Sequence, residues 1–437
     1  MTLPITIAPP PLTPSPLACA PTLRIALVTE TYPPEVNGVA GTVAQVVSGL
    51  TARGHTVQLV RPQQTLADRL PLLHSSRGFE QVLLPGLPIP GYPQLKMGLP
   101  AGATLRRLWS AQRPDVVHIA TEGPLGWSAL RAARQLGLPV CSDFRTNFQA
   151  YASHYGLAWL RRPIGAYLRH FHNRCAYTMV PTSLLRDELG AQGFERLEVV
   201  SRGVDTERFH PAHRSAELRR NWGANDNTQV VLCVGRLAAE KNLGTVVATF
   251  SAMQQVRAAS TLVFVGDGPA RAELQAVCPL ALFAGTRDGA DLAAHYASAD
   301  VFLFPSMTET FGNVTIEAMA SGLPVVAYHH AAAATLIQPG VNGLLAALGQ
   351  AGEFVRLALQ LTRHPVAAQA MGGNARTSAQ SMGWPQVIAQ IEAVLCRAIA
   401  QSQPQSQPNG ATSPAMSPAM SQPAAHATVQ RRETIAV

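Results

Sequence analysis

The sequence predicts an α/β protein made of two Rossmann-like domains, each built on a parallel sheet, facing a central cleft. Three observations carry this. Short runs of branched apolar residues alternate with helix-period segments, which is the pattern of βαβ units. The alternation restarts after about residue 200. The chain of 437 residues, 47% apolar and 14% charged, exceeds a single core at about 150 residues per domain, and this composition excludes a disordered or coiled-coil class for its bulk.

Taken in order, residues 1–22 are Pro-rich and residues 401–437 repeat "SPAM" in tandem. Neither has the periodic apolar content that offsets chain entropy, so both read as disordered, and the leader lacks the basic n-region of a signal peptide. "RIALVTE" (24–30) reads as the first strand, residues 39–53 as a helix and "TVQLVRP" as the next strand; "DVVHIAT" and "LPVCSDF" follow with a helix between them. These form a first domain, 23–205, and Gly, Pro and polar residues then mark a linker, 206–225. "QVVLCVGRL", "STLVFVGDG", "ALFAGT", "DVFLFPS" and "PVVAYH" supply five strands of a second domain, 226–400. Ligands of such sheets bind beyond the carboxyl ends of the strands.

The formal charge is +8, with Arg far outnumbering Lys. That suits a phosphate-bearing ligand, an anionic membrane or nucleic acid, or plain solubility. There is no RNA-module signature and no basic run with interleaved aromatics, so nucleic acid is not an expected partner. Six cysteines (19, 141, 175, 233, 278, 396) lack C-x-x-C spacing, which fits free thiols in a reducing cytosol without a zinc site or disulfide framework. No stretch reaches the roughly 18 apolar residues of a membrane span.

Three stretches carry chemistry. In "VLCVGRLAAEKN" a strand ends at Gly235, with Arg236 next and Lys241 near the following helix start; two cations there make a diphosphate cradle, or else flank an ordinary turn. In "VGDGPARAEL" the pair Gly266 and Gly268 reads as a tight turn or a ligand loop, but both stretches lack the third glycine of the dinucleotide fingerprint. In "SMTETFGNVTIEAMASGLPVVAY" a strand leads to a loop and a short helix that Gly322 stops. The amides of Phe311, Gly312, Asn313 and Val314 lie at that helix N-terminus, where acceptors are missing. Glu309 and Glu317 flank them; two helical carboxylates at that spacing would stand about 12 Å apart, too far for a retaining hydrolase pair at about 5 Å. Recognition of a sugar and a ribose diol fits better.

"ETFGNVTIEAMASGLPVVA" resembles the E-x7-E signature of retaining nucleotide-sugar glycosyltransferases of family 4, whose fold is GT-B. The stretches "TETYPPEVNGVAGTVAQVVSGLTARGHTVQLV", "SRGVDTERFHP", "VGRLAAEKN", "VGDGP" and "YASADVFLFPS" keep the family order over about 23–400. "VHIATEGPLGWSAL" and "DFRTNFQAY" look most like GDP-mannose-dependent α-mannosyltransferases acting on lipids, with sulfoquinovosyl and glucosyl transferases as neighbours.

The resemblance implies that the first domain binds the acceptor and the second the nucleotide sugar, with the last helix a candidate to pack back on the first domain. Arg236 and Lys241 would neutralise the donor diphosphate, Glu317 would hold the ribose, and Glu309 with the amides of Phe311, Gly312 and Asn313 the transferred sugar. Gly38 would approach the diphosphate from the first domain, and the base would meet backbone around Phe283. The expected donor is a GDP- or UDP-hexose, with no bound cofactor or metal. Relatives carry His in "H-T-N-F" and "HIHEP" stretches where this sequence reads Arg145 and "HIATEGP"; Arg145 and Glu122 are therefore acceptor-side candidates or structural residues, and His118 a buried strand residue. Residues 155–180, with Arg161, Arg162, Arg169 and Arg174 among aromatics, suit peripheral contact with an anionic inner membrane or a solvated core helix. Alternatives are a UDP-sugar-dependent glucosyl or sulfoquinovosyl transferase, another GT-B chemistry such as epimerisation or phosphorolysis, and a catalytically silent nucleotide-sugar-binding protein.

Overall fold

The computed structural model describes residues 22–35, 37–64, 78–89, 92–145 and 161–403. The leader before residue 22, the tail after 403, all of "TNFQAY" and the start of the basic segment lie outside the described residues.

In the first lobe the order is β1 (Arg24–Val28), α1 (Gly38–Ala52), β2 (Thr56–Pro62), β3 (Phe79–Leu84), a β4–β5 hairpin (Gly86–Ile89, Tyr92–Gly98) and α2 (Gly102–Ala111). There follow β6 (Val116–Ile119), α3 (Pro124–Gln135), β7 (Val140–Asp143), α4 (Arg161–His172), β8 (Tyr177–Val180), α5 (Ser183–Ala191) and β9 (Leu197–Val199). After α6 (Ala216–Asn221), the second lobe runs β10 (Gln229–Val234), α7 (Leu243–Val256), β11 (Ser260–Val265), α8 (Arg271–Val277), β12 (Leu282–Gly285), α9 (Gly289–Ser298) and β13 (Val301–Phe304). It ends with α10 (Asn313–Ala320), β14 (Val325–Tyr328), α11 (Ala331–Leu336), β15 (Leu344–Ala346), α12 (Ala351–Arg363), α13 (Pro365–Gln380) and α14 (Trp384–Ser402).

Both sheets are doubly wound. The first has the order β3-β2-β1-β6-β7-β8-β9 and the second β12-β11-β10-β13-β14-β15, with parallel pairing throughout. Strand order reverses between β1 and β6 and between β10 and β13, the switch points at which crevices open. Every residue of β6, β7, β10, β13 and β14 is buried. Covered on both faces, such strands read as continuous apolar runs, which is why they stood out in the sequence. Within the two parallel sheets, the strands that sequence reading did not name are β3, β8, β9 and β15. Three of these are sheet edges, and β9 and β15 are only three residues long.

The chain passes between the lobes twice, side by side. Val204 N donates to Met382 O at 3.0 Å, and a Cβ at Gly203 would lie 2.7 Å from the Trp384 ring. Beyond that crossing α14 returns to the first lobe, where Val387, Ile388, Ile391 and Leu395 share a core with Ile25, Val43 and Leu50. Gly49 permits this approach, since a Cβ there would fall 2.5 Å from Ile388. Phe209 and Trp222, from the linker segment, are buried in the second lobe's core.

Cys141, Cys175, Cys233 and Cys278 are free and buried. Cys396, half-buried on α14, is disulfide-bonded, which corrects the expectation of free thiols throughout. Spacing along a chain reports local metal and redox motifs, not pairs brought together by folding.

Candidate active site

The second-lobe site is assembled from the loops after β10 and β13. At the end of β10, Gly235 has φ +145°, and the chain turns through Arg236 into a 3-10 turn, Ala239–Lys241. A Cβ at Gly266 would sit 2.0 Å from Gly235 O, and one at Gly268 2.4 Å from Leu237 O. The Gly-Asp-Gly stretch is thus what lets the β11 loop press against the Arg236 loop, and it is secured by Leu237 N donating to Asp267 O (2.9 Å) and Ala270 N to Leu237 O (2.9 Å).

The loop after β13 closes on this turn from the other side. Thr308 Oγ1 donates to Glu240 O and Asn242 Nδ2 to Pro305 O, both at 3.4 Å. Lys241, one of two lysines in the chain, pairs its Nζ with Glu309 Oε1. Ser306 Oγ donates to the same oxygen at 2.8 Å, and His330 Nε2 donates to the Glu309 carbonyl at 3.1 Å. Lys241 and Glu309 each keep 14% of their side-chain surface exposed, so the pair is largely withdrawn from water yet open at one edge. Arg236 is 39% exposed and held by Glu240 Oε1 at 2.7 Å. Sequence reading gave Lys241 and Glu309 separate duties; in the fold they touch, and Glu240, Ser306 and His330 are supporting residues that spacing did not reveal.

Gly312 has φ +87° at the N-cap of α10, a left-handed turn that a side chain resists, and the first-turn amides from Asn313 onward follow it. The Phe311 ring is buried, its carbonyl accepting from Ala332 N at 2.8 Å, and Val314 packs half-buried on the core. Glu317 is half-buried on α10, where Tyr296 OH donates to its Oε2 at 2.9 Å. Burial pushes its carboxyl up to about 7 against the opposing pull of the Tyr296 bond and Arg208. From the first lobe Gly38, the first residue of α1, faces this helix start: the nearest atom to a Cβ there would be Asn313 Nδ2 at 3.7 Å. The two lobes therefore meet where the cations, the carboxylate and the helix amides gather. Phe283 stands on β12, stacked on Phe264 at 5.3 Å with the Arg271 guanidinium over its ring at 5.9 Å.

The first-lobe candidates are placed differently. Glu122 is buried; its Oε1 accepts from His172 Nε2 at 3.2 Å and its carbonyl from Tyr167 OH at 2.6 Å. Arg145 is buried with Nε on Asp143 Oδ2 at 2.9 Å, and His118 Nε2 donates to the same oxygen at 2.8 Å. Burial alone would raise Asp143, but Arg145 and His118 hold it well below the usual carboxylate range. Arg202, pushed down to about 9 by burial and by Arg145, donates to Thr42 Oγ1 of α1 at 3.1 Å. His118 is fully buried on β6, as expected. Glu30, which sequence reading passed over, is pushed up to about 7 by burial while accepting from Leu125 N at 3.1 Å. Among the described residues no group of three or more His, Cys, Asp and Glu could hold a metal, and no helix is long and apolar enough to cross a membrane.

Residues 36–208 match the model of "Glycosyltransferase Family 4" and residues 228–364 that of "Glycosyl transferases group 1". The chain is 37% identical to a GDP-mannose-dependent alpha-mannosyltransferase of Mycobacterium tuberculosis, over 87% of this chain and 99% of that one. It is 29% identical to a sulfoquinovosyl transferase of Arabidopsis thaliana, over 83% and 71%. Among solved structures it superposes on sucrose-phosphate synthase of Thermosynechococcus elongatus with a TM-score of 0.69 at 20% identity, covering 87% of this chain and all of that one. The chain belongs to glycosyltransferase family 4, with the two-lobed GT-B fold, and is a nucleotide-sugar-dependent glycosyltransferase.

Proposed function

We propose that the protein transfers mannose from GDP-mannose to a hydroxyl of a lipid or glycan acceptor, with retention at the anomeric carbon. The observation that carries this is the meeting of Arg236, Lys241, Glu309 and the start of α10 opposite Gly38; the similarity to α-mannosyltransferases favours mannose and GDP.

In this reading the diphosphate lies along Arg236 and Lys241, whose charges stabilise the departing nucleoside diphosphate as the glycosidic bond breaks. Gly38 lies beside it from the first lobe, and Gly235 keeps the backbone clear. The Glu309 carboxylate and the amides of Phe311, Gly312 and Asn313 hold the mannosyl hydroxyls, with Val314 continuing the helix start. Glu317 accepts from the ribose diol, and the base meets backbone around Phe283. The acceptor hydroxyl attacks from the face the phosphate leaves, and the departing phosphate oxygen takes its proton; charge neutralisation falls to the two cations, with no metal or cofactor required. Glu122 and Arg145 act at the acceptor side as positioning residues, since their charged groups are tied to His172 and Asp143.

The test is a panel of GDP- and UDP-hexoses, read by the rise in melting temperature and by the anomeric configuration of the product. GDP-mannose giving the largest rise and an α-linked product supports the reading; a UDP-sugar giving it turns the assignment to a glucosyl or sulfoquinovosyl transferase, and no rise with any donor refutes it. Peripheral contact of the α4 segment with an anionic inner membrane, and hence a cytoplasmic site of action, belongs to the same proposal. Tyr167 is 43% exposed there. Failure of the protein to sediment with anionic vesicles at low salt removes it.

A further inference from the structure

At the opposite end of α10 from the donor amides lies a cavity of about 600 Å³. It opens at the amino ends of the second lobe's strands: Gln229 begins β10, Asp300 precedes β13 and Pro324 precedes β14. The proposed donor site lies at the carboxyl ends, so nothing described above uses it. Its volume falls within the roughly 300–1,000 Å³ of small-molecule sites, and is far more than a bare phosphate fills.

Three guanidinium groups line it, from Arg214, Arg257 and Arg376. Each is anchored by the protein before any ligand arrives. Arg376 Nη1 is fixed by the carbonyls of Thr206, Phe209 and Ala320 at 2.8–2.9 Å, and its Nη2 and Nε make no hydrogen bond with the described residues. Arg214 Nη1 is fixed by Ala297 O and Ala299 O, and its Nη2 by Asp300 at 2.8 Å. Arg257 donates to Asn227 O. Of the two carboxylates in the lining, Asp300 already serves a second guanidinium, Arg219, at 3.0 Å, and Asp226 is exposed at the rim. The balance is positive. Anchored guanidinium groups with donors to spare are suited to an oxyanion, because a planar fork held in place loses little freedom on binding.

Two further lining residues point to a ligand with more than an anionic end. Gln229 and Ser321 are 4% and 3% exposed, and Gln229 Oε1 and Ser321 Oγ have no hydrogen-bond partner among the described residues. Buried polar atoms are rarely left so. An amide oxygen and a hydroxyl seek O–H groups, while Leu323, Pro324 and Pro211 supply an apolar wall.

We propose that this cavity is a second ligand site, for a small hydroxyl-bearing phosphomonoester. Its ligand would rest on the C-terminal end of α10, where Arg376 holds Ala320 O, while the donor occupies the N-terminal end of the same helix.

The test is isothermal titration of mannose 6-phosphate and glucose 6-phosphate into the full-length protein with GDP and UDP both saturating, so that the diphosphate cradle is filled. Binding of at least one probe is expected, weakened about tenfold by Arg257→Gln and severalfold by Ser321→Ala, since one charged hydrogen bond is worth about that much. Arg257→Gln should leave mannosyl transfer without probe unchanged, and Lys241→Ala should leave probe binding unchanged. No binding at millimolar probe, displacement by the nucleotides, or an unaltered Kd in folded Arg257→Gln overturns the site. Inorganic phosphate binding as tightly as both sugar phosphates overturns the ligand class. Because the readout is binding, failure here is distinguishable from failure of the mannosyltransferase reading.

Discussion

The two lobes bring their charged residues to the interlobe gap in contrasting ways. On the second lobe, Arg236, Lys241 and Glu309 sit on loops that follow strands at a switch point and stay partly open, 39%, 14% and 14% exposed. On the first, Arg145 and Glu122 have side chains only 7% and 4% exposed and locked to Asp143 and His172. On the proposed reading, the contrast means that one side is poised to exchange an internal partner for a substrate's charge, while the other is a fixed wall. A Lys–Glu pair at a gap can reopen when a diphosphate offers Lys241 a stronger partner; a fully buried Arg–Asp–His cluster cannot do so cheaply.

The largest expected effect follows. Lys241→Ala should lower kcat about 10³-fold, and Arg236→Ala about 10²-fold, the range for losing one group that stabilises transition-state charge, in variants that remain folded. Single-turnover kinetics beside a thermal melt checks this, and normal turnover removes the assignment.

The next effect sharpens the comparison on the same lobe. Glu317→Gln should weaken GDP binding about tenfold, the cost of a charged acceptor made neutral. Because the wild-type carboxyl sits at about 7 through burial, GDP affinity should fall as pH drops below that value, and Glu317→Gln should flatten the profile. A profile that stays pH-dependent in the variant shows that another group titrates.

On the first lobe the expected effect is on stability. Arg145→Ala should cost about 3 kcal/mol by leaving the buried Asp143 with His118 alone, while GDP affinity stays within about twofold; measured by urea denaturation and titration, a large loss of GDP affinity instead would erase the contrast between the lobes.

A last effect is shared by both. Glu30 and Glu317 are each raised by burial from 4.5 to about 7. Between those values the folded chain holds protons that the unfolded chain has released, so stability falls as pH rises through the window and levels off above it. Denaturation at pH 5 and pH 7.5 should show this decline, reduced in Glu30→Gln.

What could be read from sequence follows the same divide. The loop-and-helix stretch 305–320 was legible because its chemistry is local: Gly312, the α10 amides and the two glutamates are set by contiguous backbone. The strands buried on both faces were legible as unbroken apolar runs, whereas the edges β3, β9 and β15 were not, being half-exposed or very short. The pairs Lys241–Glu309, Arg236–Glu240 and Tyr296–Glu317 required the fold, and so did Glu122–His172, 50 residues apart. Gly266 and Gly268 show the limit well, since a ligand loop and a packing contact leave the same two letters in the sequence.

The account rests on the donor lying in the gap between Gly38 and the start of α10. Gly38→Val tests this most directly, because Gly38 lies in a helix and an added Cβ meets nothing closer than 3.7 Å, and a thermal melt verifies that the variant is folded. Titration with GDP should then give an affinity at least about tenfold weaker than wild type, the scale of one lost well-made contact. A Kd unchanged in that folded variant would mean the nucleotide binds elsewhere, and would contradict the account.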